Sequence, residues 1–282
     1  MAQAAPQTIH SELRSQAWRL LVGANATAFD LKRLSAEAEK LSKADAMAAI
    51  EVKATVAALS GDYSTSETLF ERLVSLSSEP HFLQRYIQVM ALSGEVFAFK
   101  RAYDKHLKNE VLPNDWKREI CQLLGLSGWL RESVRLQQEL EEEGCEVCPP
   151  TLEGLIYPEA GDDKDPTQDG FGIPVYETER NSADVLEAAD VEERALPELM
   201  SRSIRFLRGR AMSLTAVRTL HVVHEDGTGG LLVSFIIKSD MATAADAEWD
   251  LFAEFAEDVP GPMLDGSIAV GVLARHGEAY AD

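Results

Sequence analysis

Apolar and polar positions in residues 1–150 follow the spacing of amphipathic helices, with apolar side chains three and four residues apart. Residues 8–22 and 28–41 predict two helices, which form an N-terminal cap. Three helix pairs are predicted after them, joining 44–60 with 62–78, 80–93 with 95–109, and 113–127 with 129–144. We therefore predict a stack of helical hairpins in this half of the chain.

Glycine and proline recur through the same region with a fixed period. Gly61, Gly94 and Gly128 lie 33 and 34 residues apart, and Pro80 and Pro113 each follow a glycine by 19 residues. A glycine ends a helix cheaply in the left-handed conformation, and a proline suits the first turn of the next helix. Periods of this length are typical of stacked helix pairs.

The turn Gly61-Asp62-Tyr63, with Ser66, Phe70 and Leu73 behind it, resembles the tetratricopeptide repeat family. Gly94-Glu95-Val96 is a looser copy of that turn. The small packing position of the family falls on Ala54, Ile87 and Cys121, of which only Ala54 is standard. The resemblance covers roughly half of the chain and implies a divergent helical solenoid with a concave groove for a partner protein.

One polar face of each first helix would line that groove. Its residues are Glu51, Thr55, His81, Gln84, Gln88, Asp115, Arg118 and Gln122. Three of them, Thr55, Gln88 and Gln122, recur at 33 and 34 residues and would stand in a row. Such a row can hydrogen-bond a bound peptide. The alternative is a polar face that only contacts water.

Residues 151–182 are acidic and contain Gly and Pro, which predicts a linker between domains 1–150 and 183–282. After it we expect helices at 183–190 and 194–209, strands at 217–224, 231–238 and 267–274, and a helix at 242–257. Ala245, Trp249, Phe252 and Phe255 are expected on the core side of that helix. The fold class is therefore a helical-repeat solenoid followed by a small α+β domain with a mainly antiparallel sheet.

The charge is uneven. Of the net −20, residues 1–150 contribute −4, from 17 basic and 21 acidic side chains, and residues 151–282 contribute −16, from 10 and 26. This charge disfavours nucleic acid and anionic membranes as partners and favours a basic protein. Three cysteines and no signal-peptide-like or 18-residue apolar run indicate a cytoplasmic protein, and the alanine-rich composition suggests a bacterial one.

Arginines provide the candidate anion site. Arg202, Arg205, Arg208 and Arg210 fall near the end of one predicted helix, where they could grip a carboxylate or phosphate. Alternatively, they are cations that the helix dipole favours at a C-terminus. Cys145 and Cys148 lack the further ligands of a zinc site, and His221 and His224 point to opposite sides of a strand. No metal, cofactor or catalytic constellation is predicted.

Three functions follow from these observations. The favoured one is a non-enzymatic adaptor or chaperone-like protein, such as a secretion or assembly accessory, whose groove holds a partner. A second is an acidic immunity or antitoxin-type protein that neutralises a basic partner. A third is an enzyme in residues 183–282 that holds an anionic substrate with the arginines, where Arg205 or Arg208 would lie beside a perturbed acid or His224. Neither the partner nor the oligomeric state can be predicted.

Overall fold

The computed structural model describes residues 6–23, 26–145, 175–223, 229–256 and 258–274. In the N-terminal half the helices are α1 (Pro6–Gly23), α2 (Ala28–Leu41), α3 (Ala46–Leu59), α4 (Tyr63–Leu76), α5 (Pro80–Leu92), α6 (Val96–His106), α7 (Asn114–Leu126) and α8 (Leu130–Glu142). The elements after them are α9 (Val175–Ala188), α10 (Ala195–Gly209), β1 (Leu214–Val223), β2 (Gly229–Ile237), α11 (Met241–Ala256), α12 (Gly261–Leu264) and β3 (Ile268–Ala274).

The predicted fold class is confirmed, with a helical stack followed by a small α+β region. The start of one helix differs from the prediction. α9 begins at Val175, inside the predicted linker, and not at 183. Among the described side chains of this helix, the buried apolar ones that mark its core side, Ala183 and Leu186, lie within the predicted range. The predicted linker residues 151–174, together with Cys148 and His224, lie outside the described residues.

The repeated glycines end their helices in one shared geometry. Gly61, Gly94 and Gly128 have φ values of 78°, 82° and 82°, in the left-handed region that the period predicts. After Gly61 the Asp62 N–H donates to Ala57 O at 2.9 Å, and equivalent 2.9 Å bonds follow the other two glycines. These are Schellman turns, which satisfy carbonyls at the helix ends. The N-terminal half therefore has a helical-repeat-like arrangement.

The contacts among its residues divide the chain into two compact units. Unit 1 is Met1–Asn109 with Arg208–Ser213, and unit 2 is Glu110–Leu207 with Leu214–Asp282. A division by contacts does not define where an independently folding domain ends. The predicted domain boundary at 150 therefore stays a prediction.

The core of unit 1 is shared between consecutive helices. Residues of α1, α2 and α3 form one apolar cluster, and farther along the stack Phe70 lies on Tyr86 with ring centroids 5.3 Å apart. The residues at the predicted small packing position, Ala54 and Ile87 here and Cys121 in unit 2, are all buried. The repeat therefore places equivalent residues in equivalent environments.

Unit 2 contains a three-stranded sheet in the order β1-β2-β3. β1 and β2 are antiparallel, as the sequence predicts, whereas β2 and β3 are parallel, so the sheet is mixed. The helix between β2 and β3 returns the chain to the starting end of the sheet, which makes the next strand parallel. β2 lies in the centre and most of its side chains are buried.

The orientation of α11 is a correction to the sequence analysis. Its buried residues are Ala244, Ala247, Leu251 and Phe255. Of the four side chains predicted on the core side, only Phe255 is buried, while Ala245, Trp249 and Phe252 are exposed. α11 has apolar side chains on two sides, and the apolar period alone did not indicate which side enters the core.

Candidate partner-binding surfaces

The predicted groove residues do not form an exposed polar row. Glu51, Thr55 and Gln88 are buried, with 1%, 4% and 9% of their surface accessible, and Gln122 is half-buried. The Thr55 hydroxyl donates to the backbone oxygen of Glu51 at 3.0 Å, within its own helix. The three buried residues are therefore not on the surface in this conformation, and their role in binding a partner stays a prediction.

Glu51 is held by two arginines. The Nε atoms of Arg14 in α1 and of Arg85 in α5 each lie 3.5 Å from its Oε1 atom. The guanidinium of Arg85 also lies 4.1 Å from the ring centroid of Trp18, in the arrangement of a cation–π contact. Because a buried carboxylate is costly unless it is paired, this network explains how a charged residue can lie inside the stack.

The same network shows that a helix covers part of the predicted groove face. α1 contacts both α3 and α5, which are first helices of their pairs. It buries Leu13, Ala17 and Leu21 and adds Arg14 and Trp18 to the charged network. We call the surface of α3 and α5 that contacts α1 the helix-binding face, with Glu51 and Arg85 as its charged residues.

The remaining predicted groove residues keep some exposure, and their role in binding a partner stays a prediction. In unit 1, His81 and Gln84 are half-buried, and His81 Nδ1 lies 3.3 Å from a carboxylate oxygen of Glu79. In unit 2, Asp115 is exposed and lies 3.0 Å from Arg118, one turn along α7.

Two of the predicted anion-binding residues, Arg202 and Arg208, donate to backbone oxygens, and anion binding at the arginines stays a prediction. In unit 2, Arg202 donates to Asp258 O at 2.8 Å and lies over the ring of Phe255. In unit 1, Arg208 donates to Leu21 O at 2.6 Å and Leu92 O at 3.1 Å. Burial lowers the pKa of Arg208. Arg205 and Arg210 are exposed.

Glu71 is the centre of a second charged cluster in unit 1. It accepts a hydrogen bond from the Tyr86 hydroxyl at 3.2 Å and from Lys105, while His106 Nε2 lies 3.6 Å away. Burial by itself would raise the pKa of Glu71, but Lys105, His106 and Tyr86 together hold that pKa below its ordinary value. Burial and the neighbouring carboxylates raise the pKa of Tyr86, so its hydroxyl stays a donor.

This cluster follows the repeat and joins neighbouring pairs. Lys105 lies 34 residues after Glu71, and Arg101, which makes a two-pronged contact with Glu67, also lies 34 residues after its partner. Equivalent positions of α4 and α6 therefore carry opposite charges. Its residues pair with one another, so we assign the cluster to holding the stack together.

Other candidates for chemistry receive little support from the described part of the chain. No group of three or more His, Cys, Asp or Glu side chains suited to a metal ion occurs there. Cys145 accepts a hydrogen bond from the Asn114 side chain at 2.8 Å, and Cys121 is buried. A depression in unit 2, beside Gly128, is lined by Ala183, Leu186 and Leu196 among others, and neither Arg205 nor Arg208 lines it.

The sequence analysis missed an exposed apolar surface in unit 2. Three large apolar side chains of α11, Trp249, Met241 and Phe252, have 77%, 65% and 41% of their surface accessible. Exposed single apolar residues are common, whereas several along one helix face are a feature that interaction surfaces share. The sequence signal for this surface is that α11 contains more apolar residues than one buried side of a helix can hold.

No protein family, curated protein or solved structure matches the chain. Among the described helices, none has both the length and the apolar character needed to span a membrane.

Proposed function

We propose that the protein is a non-enzymatic adaptor that binds a helix of a partner protein on the helix-binding face of its stack. The observation that carries the proposal is the position of α1, which lies on α3 and α5 and pairs with their charged residues. A surface that holds one amphipathic helix has the shape and chemistry to hold another. We also propose that the stack is a divergent tetratricopeptide-like solenoid and that the protein is cytoplasmic.

The anchoring of α1 makes exchange with a partner feasible. Its described part buries three apolar side chains, whereas α3 and α5 each bury eight residues. Burying a leucine contributes about 1.5–3 kcal/mol, so the apolar part of the cost of releasing α1, from Leu13, Ala17 and Leu21, is about 5 kcal/mol. The contacts of Arg14, Trp18 and Arg208 add to this cost. A partner helix with equivalent side chains would restore that energy on binding.

The side chains of α1 also indicate what the partner helix must carry. Leu13, Ala17 and Leu21 form an apolar stripe at four-residue steps. Arg14 and Trp18 each come directly after a residue of this stripe. Arg14 contacts Glu51, and Trp18 contacts Arg85. The expected partner helix therefore has an apolar stripe with an arginine and an aromatic residue four positions apart beside it.

A labelled peptide of residues 6–23 tests this proposal. In the wild-type chain the tethered α1 competes with the peptide at an effective concentration on the order of millimolar. Arg14→Ala with Trp18→Ala in the chain weakens that competitor and leaves α3 and α5 unchanged. We expect the peptide to bind this double variant about tenfold or more tightly than it binds wild type, measured by fluorescence anisotropy.

Two controls make the result specific. Adding Arg85→Ala to the double variant should abolish binding, whereas adding Arg72→Ala, at an exposed position of α4, should not change it. A peptide with alanine in place of Arg14 and Trp18 should not bind. If the intact peptide fails to bind a folded double variant at millimolar concentration, the helix-binding face does not accept a helix from another molecule.

A second candidate function is an acidic protein that neutralises a basic partner. The charge of residues 151–282, with 26 acidic and 10 basic side chains, favours it. Binding of this kind should weaken steeply as salt rises. Binding on the helix-binding face should change less, because its charged residues lie in a partly buried network.

A further inference from the structure

Arg208 joins the C-terminal ends of two helices in unit 1. Its guanidinium donates to Leu21 O, in the last turn of α1, at 2.6 Å and to Leu92 O, at the end of α5, at 3.1 Å. Arg208 and Leu21 are 187 residues apart in the sequence. Carbonyls at the end of a helix have no partner within that helix, so a charged donor stabilises them. The position of α1 on the helix-binding face therefore depends in part on a residue from a distant part of the chain.

α1 and α5 depend on this bridge to different degrees. The end of α5 is also closed by its Schellman turn, in which Glu95 N–H donates to Met90 O at 2.9 Å. α5 buries eight residues, whereas the described part of α1 buries three apolar side chains. Loss of the bridge should therefore loosen α1 more than it loosens α5.

α1 is held at two places along its length. In its middle, Arg14 contacts Glu51 and Trp18 contacts Arg85. Arg208 holds Leu21, seven residues after Arg14, which is about 10 Å farther along the helix. Glu51 and Arg85 belong to the helix-binding face, and any bound helix can use them. Arg208 comes from the end of α10, so its withdrawal would release α1 at one end and leave the face unchanged.

The turn that follows Arg208 is exposed and strained. Gly209, Arg210 and Ala211 are all exposed, and Ala211 N–H donates to Arg208 O at 2.8 Å. Ala211 has a φ of 57°, in the left-handed region that is unfavourable for a residue with a Cβ atom. Residues in such conformations persist only where their surroundings hold them, and they are found in switch regions. The segment that carries Arg208 therefore has the exposure and the strain of a switch.

We propose that Arg208 is a latch that keeps α1 on the helix-binding face, so that the site is closed while Arg208 bridges Leu21 and Leu92 and opens when this bridge breaks. The latch rests on the proposed function, because α1 and the partner helix compete for the same face. Withdrawal of Arg208 lowers the cost of releasing α1 and raises the apparent affinity for the partner by the corresponding factor. The exposed turn at Gly209–Ala211 is then the place where the site is regulated.

Native-state hydrogen exchange of the full-length chain tests the latch in the absence of any partner. We expect Arg208→Ala to speed exchange of amides in residues 11–23 about tenfold or more, because hydrogen bonds to a charged group are lost. Amides of 46–59 and 80–92 should remain more strongly protected than those of α1 in the same variant. Arg208→Lys should give an intermediate rate, since an ammonium cannot reproduce the two-pronged contact.

Controls for the exchange experiment come from the same helix. Arg205→Ala, at an exposed position one turn before Arg208, should leave the exchange of α1 as it is in wild type. Circular dichroism checks that each variant is folded. Arg208→Lys retains the cation and gives the same test with a smaller perturbation of the stack.

A labelled peptide of residues 6–20 relates the latch to the binding site. It carries Arg14 and Trp18 but lacks the carbonyl of Leu21, so it has no Leu21 contact with Arg208 to lose. Because the tethered α1 does lose that contact, the peptide should bind Arg208→Ala about tenfold or more tightly than wild type, measured by fluorescence anisotropy. The Arg205→Ala variant should bind the peptide as wild type does.

The outcomes separate the latch from the proposed function. Unchanged exchange of α1 in Arg208→Ala and Arg208→Lys would overturn the latch, even if the peptide of residues 6–23 binds the Arg14/Trp18 double variant and so supports the proposed function. One common exchange rate for α1, α3 and α5 in Arg208→Ala would also overturn it, because Arg208 would then support the whole stack. Faster exchange of α1 alone, with no binding of either peptide, would support the latch and contradict the proposed function.

Discussion

Arg208 is an arginine whose partners are backbone oxygens and not an opposite charge. It donates to Leu21 in the last turn of α1 and to Leu92 at the end of α5. Carbonyls in the last turn of a helix have no partner within the helix and carry partial negative charge. A single guanidinium therefore satisfies the ends of two helices.

Replacing Arg208 should lower the stability of the protein. Hydrogen bonds to charged groups contribute about 1.5–3 kcal/mol each, so we expect Arg208→Ala to reduce the free energy of unfolding by about 3 kcal/mol. Arg208→Lys should recover only part of the loss, because an ammonium cannot reproduce the two-pronged geometry. The measurement is urea denaturation followed by circular dichroism.

The exposed Arg205, one turn earlier on the same helix, provides the control. Arg205→Ala should change the free energy of unfolding by no more than about 0.5 kcal/mol, as is usual for surface substitutions. Equal effects of the two alanine substitutions would contradict the role that we assign to Arg208.

Single residues were also where sequence reasoning was weakest. The spacing of Arg202, Arg205, Arg208 and Arg210 suggested one shared anion, and the helix dipole suggested cations that favour the C-terminus of their own helix. Arg202 and Arg208 instead donate to carbonyls of other parts of the chain, Arg202 at Asp258 and Arg208 at Leu21. Which distant carbonyl an arginine reaches depends on tertiary packing, which one sequence does not contain.

Among the structural elements, the repeat turns were predicted well. A left-handed residue at the end of a helix has a local cause, so Gly61, Gly94 and Gly128 could be assigned from their period. The surroundings of these glycines were not predictable. A Cβ at Gly61 would meet no atom within 4 Å, whereas at Gly128 it would lie 3.0 Å from Met200 Cγ and from Pro197 N.

This difference predicts unequal costs for the same substitution. Gly61→Ala should lower the free energy of unfolding by about 1 kcal/mol, because only the left-handed conformation is penalised. Gly128→Ala adds an overpacking cost of about 1–3 kcal/mol, for a total near 3 kcal/mol. Urea denaturation of both variants measures the difference.

The two positions serve as controls for each other, because they share the turn geometry and differ in their neighbours. Equal costs at Gly61 and Gly128 would mean that the contact of Gly128 with Pro197 and Met200 in unit 2 is not maintained in solution.

α11 shows how an element can be predicted correctly and its orientation wrongly. Its position and length agree with the sequence, but Trp249 and Phe252 are exposed where a core position was predicted. Large aromatic side chains usually identify the buried side of a helix. Here the smaller Ala244 and Ala247 line the buried side, together with Leu251 and Phe255.

For the whole molecule, the apolar periodicity and the spacing of glycine and proline predicted the architecture. The helical stack and the α+β region follow from local patterns, and both are present. The sequence did not reveal that α1, outside the register of the repeat, packs on α3 and α5 and brings Arg14 to Glu51. Contacts between elements of different register are not visible in a repeat pattern.

The central claim is that the face of α3 and α5 holds α1 as one helix among those it can accept. It requires that α1 opens while the rest of unit 1 stays folded. Native-state hydrogen exchange of the full-length chain measures this directly, because amides of residues 11–23 report the opening of α1 and amides of 46–59 and 80–92 report the stack.

We predict that α1 exchanges through a local opening that exposes Leu13, Ala17 and Leu21 and breaks the contacts of Arg14 and Arg208, and that α3 and α5 remain more strongly protected. Trp18→Ala should speed exchange in α1 alone. If α1, α3 and α5 exchange with one common free energy, α1 is a fixed part of the stack, and the account of a helix-binding adaptor is contradicted.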